Sequence, residues 1–239
     1  MAEQQYLKAI YLLDGRGLRP QRAAVFDALA DIFAACGVRR LPAVQDFGCW
    51  RHPQYIDPRG YMVPYLSVPW YIEQAREPAR QRVDAQRLVA AFRQEPWRRE
   101  DSLGDHYDVL LLDQPLFDPA EEEHFGLAGT PGYAVAGVAA VLSTHGIGAL
   151  DRVGYSLLKT LALRELAHAF GVPSLRQEAI ELIPRVVCTH PCILGPCLEL
   201  PADLERLTDL RLAGPPFCDT CLAELRAHLA GGGARAPEG

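Results

Sequence analysis

The stretch from Gly154 to Phe170 constrains the fold more than any other. Leu157, Leu158, Leu161, Leu163 and Leu166 recur through it at helical spacing, and Pro173 prevents its continuation. Such a helix needs a sheet or other helices to cover it, and the rest of the chain supplies both. Tyr6–Leu13 and Leu41–Phe47 read as strands, Pro20–Cys36 as a helix stopped at Gly37, and Ala79–Phe92 as another helix. Tyr107–Leu112 is continuously apolar apart from Asp108, as in a strand covered on both faces. Phe125–Ala128 and Val135–Ser143 read as short strands, Ser174–Ile183 as one more helix, Leu204–Leu207 as a turn and Leu222–Leu229 as a terminal helix. Strands mixed with helices imply an α/β (α+β) domain over residues 1–172 and a cysteine-rich C-terminal subdomain over 173–230. Residues 231–239, a Gly/Ala/Pro tail, are expected to be disordered.

Charge excludes one class of function. The chain of 239 residues carries a net charge of −6 and no Lys/Arg cluster, so an electrostatic nucleic-acid binder is not expected. Met1–Tyr6 lacks the charged start and apolar core of a signal peptide, and the longest apolar stretch, Tyr133–Leu142, is too short to cross a bilayer. A cytoplasmic protein without a membrane partner is the expectation. In that compartment seven cysteines favour metal ligands or free thiols over disulfides. Cys36 and Cys49 stand alone, whereas Cys188, Cys192, Cys197, Cys218 and Cys221 crowd the last quarter. Two close pairs of thiolates separated by a loop are what a tetrahedral four-cysteine zinc site requires, and Cys192 with Cys197, then Cys218 with Cys221, meets that requirement. A second register takes Cys188 and Cys192 as the first pair, and five reduced cysteines without metal are a third reading.

At its end the long helix carries Arg164-Glu165-Leu166-Ala167-His168-Ala169-Phe170-Gly171. In H-E-x-x-H, two histidines one turn apart grip Zn²⁺ and the Glu serves as general base. Here Glu165 and His168 are in place, but the first ligand position is Arg164, whose guanidinium offers donors and no lone pair. Other constellations carry less. Trp50, Tyr55, Tyr61, Tyr65, Trp70 and Tyr71 read as core packing before cleft lining, and Asp118 with Glu121–His124 as a solvated acidic loop.

The segment Leu158–Val172 resembles the active-site helix of archaemetzincins, small zinc metalloproteins whose motif runs H-E-x-x-H-x-x-G-x-x-H-C-x4-C-x-M before a later C-x-x-C. Asp108–Asp113 with Leu116-Phe117, then Phe125–Ala128 and Val138–Ser143, resemble the family's preceding strands. The resemblance covers about Arg82 to Leu225. It implies a metzincin-like twisted mixed sheet flanked by helices, with a structural zinc held by four cysteines and distinct from the catalytic metal.

The departures fall on the catalytic site. The third histidine would stand at Ser174, and an insertion lies between Gly171 and Cys192. The Met of the family's turn is Glu199 in the first register and Leu194 in the second. His190 is the histidine that could still reach inward as a ligand. The expectation is one structural zinc on four cysteines, a second catalytic zinc lost, and Glu165 and His168 kept as vestigial base and ligand. Such a peptidase-like scaffold would lack activity and bind a peptide or protein. Two alternatives stand beside it: an active zinc peptidase rebuilt from His168 and His190, and a zinc-stabilised protein-interaction module.

Overall fold

The computed structural model describes residues 8–15, 18–38, 44–48, 68–93, 106–127, 129–174, 179–182, 185–197 and 201–230. A mixed five-stranded sheet lies at its centre, in the order β2-β1-β5-β8-β7. β1 (Ala9–Asp14) pairs in parallel with β2 (Val44–Gly48) on one side and β5 (His106–Leu112) on the other. β8 (Ala139–Ser143) continues the parallel run, and β7 (Gly132–Val135) closes that side antiparallel to it.

Side chains on a strand alternate between faces, and the sheet shows two cores accordingly. Ile10 and Leu12 of β1, with Val109 and Leu111 of β5, face α1 (Arg19–Cys36) and α5 (Arg152–Ala169). Tyr11 and Leu13, with Leu110 and Leu112, face α2 (Val68–Ala75) and α3 (Ala85–Arg93). Each fully buried leucine in these layers contributes about 1.5–3 kcal/mol over an exposed one. α5 begins at a sequence-encoded cap, for Asp151 accepts from the N–H groups of Val153 and Gly154 at 2.9 Å each.

Five sequence expectations are corrected. The run Ala79–Phe92 is divided: β3 (Arg76–Glu77) and β4 (Arg82–Asp84) form a small sheet with β6 (Leu116–Phe117), and α3 starts only at Ala85. Asp84 decides this by accepting from Arg87 N at 2.9 Å, while Arg82 is held by Glu77 and Glu122. Of the strand expected over Phe125–Ala128, the described residues 125–127 are not in a strand. Pro119–Phe125 is helix α4, capped by Asp118 at its start and ended by Gly126 at φ 69°. The acidic run is therefore helical, with Glu122 paired to Arg80 and Arg82. The helix expected over Ser174–Ile183 does not include its described residues 179–182, because β9 (Ala179–Leu182) pairs antiparallel with β10 (Arg185–Cys188). Leu204–Leu207 lies inside α6 (Ala202–Ala213), with both leucines buried.

The last helix, α7 (Asp219–Ala230), is tied back to the first layer. Tyr107 Oη and His228 Nε2 lie 2.8 Å apart, and Arg226 donates to the carbonyl of Ala35 at 3.0 Å. Residues on both sides of position 172 share the core that holds Leu158, Leu166, Ile193 and Leu225. Trp70 and Tyr71 of the aromatic stretch pack beside the second core, whereas Trp50, Tyr55, Tyr61 and Tyr65, like Cys49, Glu199 and the 231–239 tail, lie outside the described residues. No described helix is long and apolar enough to cross a membrane.

Candidate metal centre

The hairpin β9–β10 delivers Cys188 to the end of a strand, and the chain then folds back on itself. Cys188 N donates to Leu194 O at 2.9 Å, and Gly195 N donates to Cys192 O at 3.0 Å. These two bonds put Cys188 and Cys192 on one tight turn. Cys218 and Cys221 sit at the start of α7, and Ile193 N reaches Pro216 O at 3.1 Å to bring the segments together. The ligand atoms of Cys188, Cys192, Cys218 and Cys221 all lie within 4.8 Å of one another. Cys188 Sγ and Cys218 Sγ are 3.7 Å apart. A tetrahedron with Zn–S bonds of about 2.3 Å has sulfur–sulfur edges of about 3.8 Å. The four thiols fit a metal ion of that size and preference.

The electrostatics support ligation. The Cys221 thiol and the backbone N–H groups of Leu194 and Cys218 hydrogen-bond to Cys192 and, against desolvation, hold its pKa down at about 6. Burial pushes Cys188 the other way, up to about 11, the cost a bound cation would remove. Spacing in the sequence favours Cys197 as the partner of Cys192, but Cys188 takes that place in the group. The hairpin and the turn at 192–195 select it, and Cys197 falls beyond the turn, after Pro196. His190 stands at this centre too, with Nδ1 at 4.0 Å from Cys188 Sγ, on an exposed stretch.

Arg164, Glu165 and His168 lie on α5, beneath the same turn. Arg164 is 2% exposed and ranks first by volume among the fully buried side chains. Its Nη1 donates to Gly195 O at 2.5 Å and Ile193 O at 3.1 Å, and its Nε lies 3.4 Å from Glu165 Oε1. Glu165 is fully buried and packs so closely under β7 that a Cβ on Gly132 would come within 2.6 Å of its Cγ. Glycine is required at 132 for that approach. His168 is half-buried one turn further along. The helix ends at Ala169, and Gly171, just past its cap at Phe170, has a φ of 80° in the left-handed region glycine tolerates. Ser174 is turned to α7, with Oγ donating to Glu224 Oε1 at 2.6 Å and its N–H to Oε2 at 3.0 Å. Leu194 is fully buried in the core below.

Arg164, Glu165 and His168 thus share a helix end, while Ser174 and His190 are directed to other partners. Sequence reasoning passed over Gly132, Glu224 and the carbonyls of Ile193 and Gly195. The backbone acceptors have no sequence signal at all, and a lone Gly or Glu has one only after its neighbour across space is known.

The fold has a solved counterpart. The crystal structure of archaemetzincin from Methanopyrus kandleri superposes with a TM-score of 0.59 over 96% of this chain and 99% of that one, at 16% sequence identity. The chain has the archaemetzincin fold. No family model matches the sequence, and no curated protein matches it. At this identity the likeness carries the arrangement of the archaemetzincin scaffold and leaves chemistry to the residues themselves.

Proposed function

We propose that this chain is an archaemetzincin-fold protein that holds one zinc at Cys188, Cys192, Cys218 and Cys221 and has given up the catalytic zinc and peptidase activity. The observation that carries the reading is Arg164. At the position where H-E-x-x-H places its first ligand, a cation is fully buried and its Nη1 is committed to two carbonyls. A second cation beside that guanidinium would meet like charge in a site of low dielectric, which costs far more than one imidazole repays. Ser174 supports the same reading, since its hydroxyl is engaged by Glu224. Zinc at the thiols would supply folding energy rather than an activated water, because four thiolates leave no open coordination position. Glu165, buried against Gly132, then acts as counter-charge to Arg164.

Metal counting tests this. Zinc per chain, measured by elemental analysis on the protein and on His168→Ala, is expected to be one in both. Two zincs, with one lost on His168→Ala, would instead support a peptidase whose metal site has been rebuilt around His168.

A further inference from the structure

We propose that Arg164 is a positioning residue of the four-thiol centre: the side chain at the former ligand position now fixes the turn that presents Cys192 to the metal. The inference rests on the reading of the four thiols as a metal centre.

Four successive carbonyls, from Cys192 to Gly195, each accept a hydrogen bond. Gly195 N serves Cys192, Cys188 N serves Leu194, and the single guanidinium of Arg164 serves both Ile193 and Gly195. The Ile193 carbonyl belongs to the same peptide plane as the Leu194 N–H, and that N–H donates to the Cys192 thiol. A planar peptide cannot turn one end without the other. Holding the carbonyl from α5 therefore aims the N–H at the sulfur. The Ile193 N–H in turn reaches Pro216 O, on the segment that leads into Cys218. Both thiol pairs are thereby braced to one residue, and that residue is braced to the helix by Arg164.

The side chain suits the task. A guanidinium presents its donors as a rigid planar fork, which a lysine ammonium does not. An imidazole at 164 would be shorter and could not donate to two carbonyls while also facing Glu165. The distances rank the contacts in the same sense: 2.5 and 3.1 Å to the turn, against 3.4 Å to Glu165. Groups that orient metal ligands from outside the coordination shell typically change metal affinity by about 10–100-fold when removed.

Cobalt(II) titration of the metal-free full chain, read by its thiolate charge-transfer and tetrahedral d–d bands, tests the inference. Arg164→Met is expected to lower Co²⁺ affinity by at least about tenfold, and Arg164→Lys by less, with the tetrahedral bands retained. Thr208→Val serves as the control. It removes a buried hydrogen bond to Thr160, one turn before Arg164 on α5 and bonded to α6 rather than to the cysteine turn, and is expected to leave Co²⁺ affinity unchanged. Should Arg164→Met fail to fold, the Arg164→Lys comparison decides. Arginine variants that bind Co²⁺ as tightly as the unmodified chain, or a Thr208→Val loss equal to theirs, would overturn the role of Arg164. Absence of thiolate bands in the unmodified chain is a different result, and would remove the metal centre itself.

Discussion

Arg164 Nη1 lies 2.5 Å from the carbonyl oxygen of Gly195, across 31 positions of sequence. The bond joins the end of the central helix to the turn that bears Cys192. It gives the buried guanidinium a backbone acceptor on that turn, with the Glu165 carboxylate beside it.

Cysteine replacements should separate the two registers. Cys188→Ser and Cys192→Ser are each expected to abolish stoichiometric zinc binding and to lower the thermal midpoint, because structural zinc contributes its binding energy to folding. Cys197→Ser should keep one zinc per chain. Elemental analysis and thermal denaturation check both, and loss of zinc in Cys197→Ser but not in Cys188→Ser would restore the register read from spacing.

Gly132→Ala should destabilise the chain by about 1–3 kcal/mol in urea unfolding. The new methyl would sit 2.6 Å from Glu165 Cγ and 3.1 Å from Leu161 Cδ1, both on a helix fixed by the core. Glu165→Ala in the same background should recover part of that loss, and a neutral Gly132→Ala would contradict the close packing of Glu165 under β7.

Stability should fall at high pH through Tyr155. Desolvation, together with its bond to Asp27, raises its pKa from 10.0 to about 12. A group whose folded pKa is raised contributes stability that is complete below the unfolded value and lost as pH rises through the folded one. The contribution therefore disappears between pH 10 and about 12. Unfolding followed across that window should show a phase that Tyr155→Phe lacks, and an unchanged profile in the variant would assign the phase elsewhere.

Leu163→Ala should cost about 2–5 kcal/mol, as for a fully buried leucine whose cavity cannot collapse. Leu212→Ala, at a leucine 63% exposed on α6, should stay within about 0.5 kcal/mol. Equal effects in chemical denaturation would contradict the placement of α5 between the sheet and the C-terminal helices.

The parts legible in the sequence are those written in local periodicity. Leu157 to Leu166 announce α5, the run Tyr107–Leu112 announces a strand covered on both faces, and Gly37 stops α1 where expected. Where two signals compete, periodicity misleads. The apolar spacing of Val83 and Leu88 suggests one helix, yet Asp84 caps a helix that starts behind it, and Val83 bonds to Pro115 O in a strand. At 179–182 the pairing partner lies on the next strand, so the ladder rather than intrinsic propensity decides the conformation.

By itself the sequence determined the inventory: a buried helix ending in Glu165 and His168, an arginine one turn before that histidine, and five cysteines crowded at one end. Side-chain chemistry and short-range spacing set those features, and no fold changes them. Only the tertiary structure decided that Cys188 joins Cys192, Cys218 and Cys221, and that Arg164 reaches the turn between them. Both outcomes depend on strand register and on backbone carbonyls brought together across the core. Every residue carries such carbonyls, so the amino-acid letters cannot reveal which of them a buried guanidinium will find.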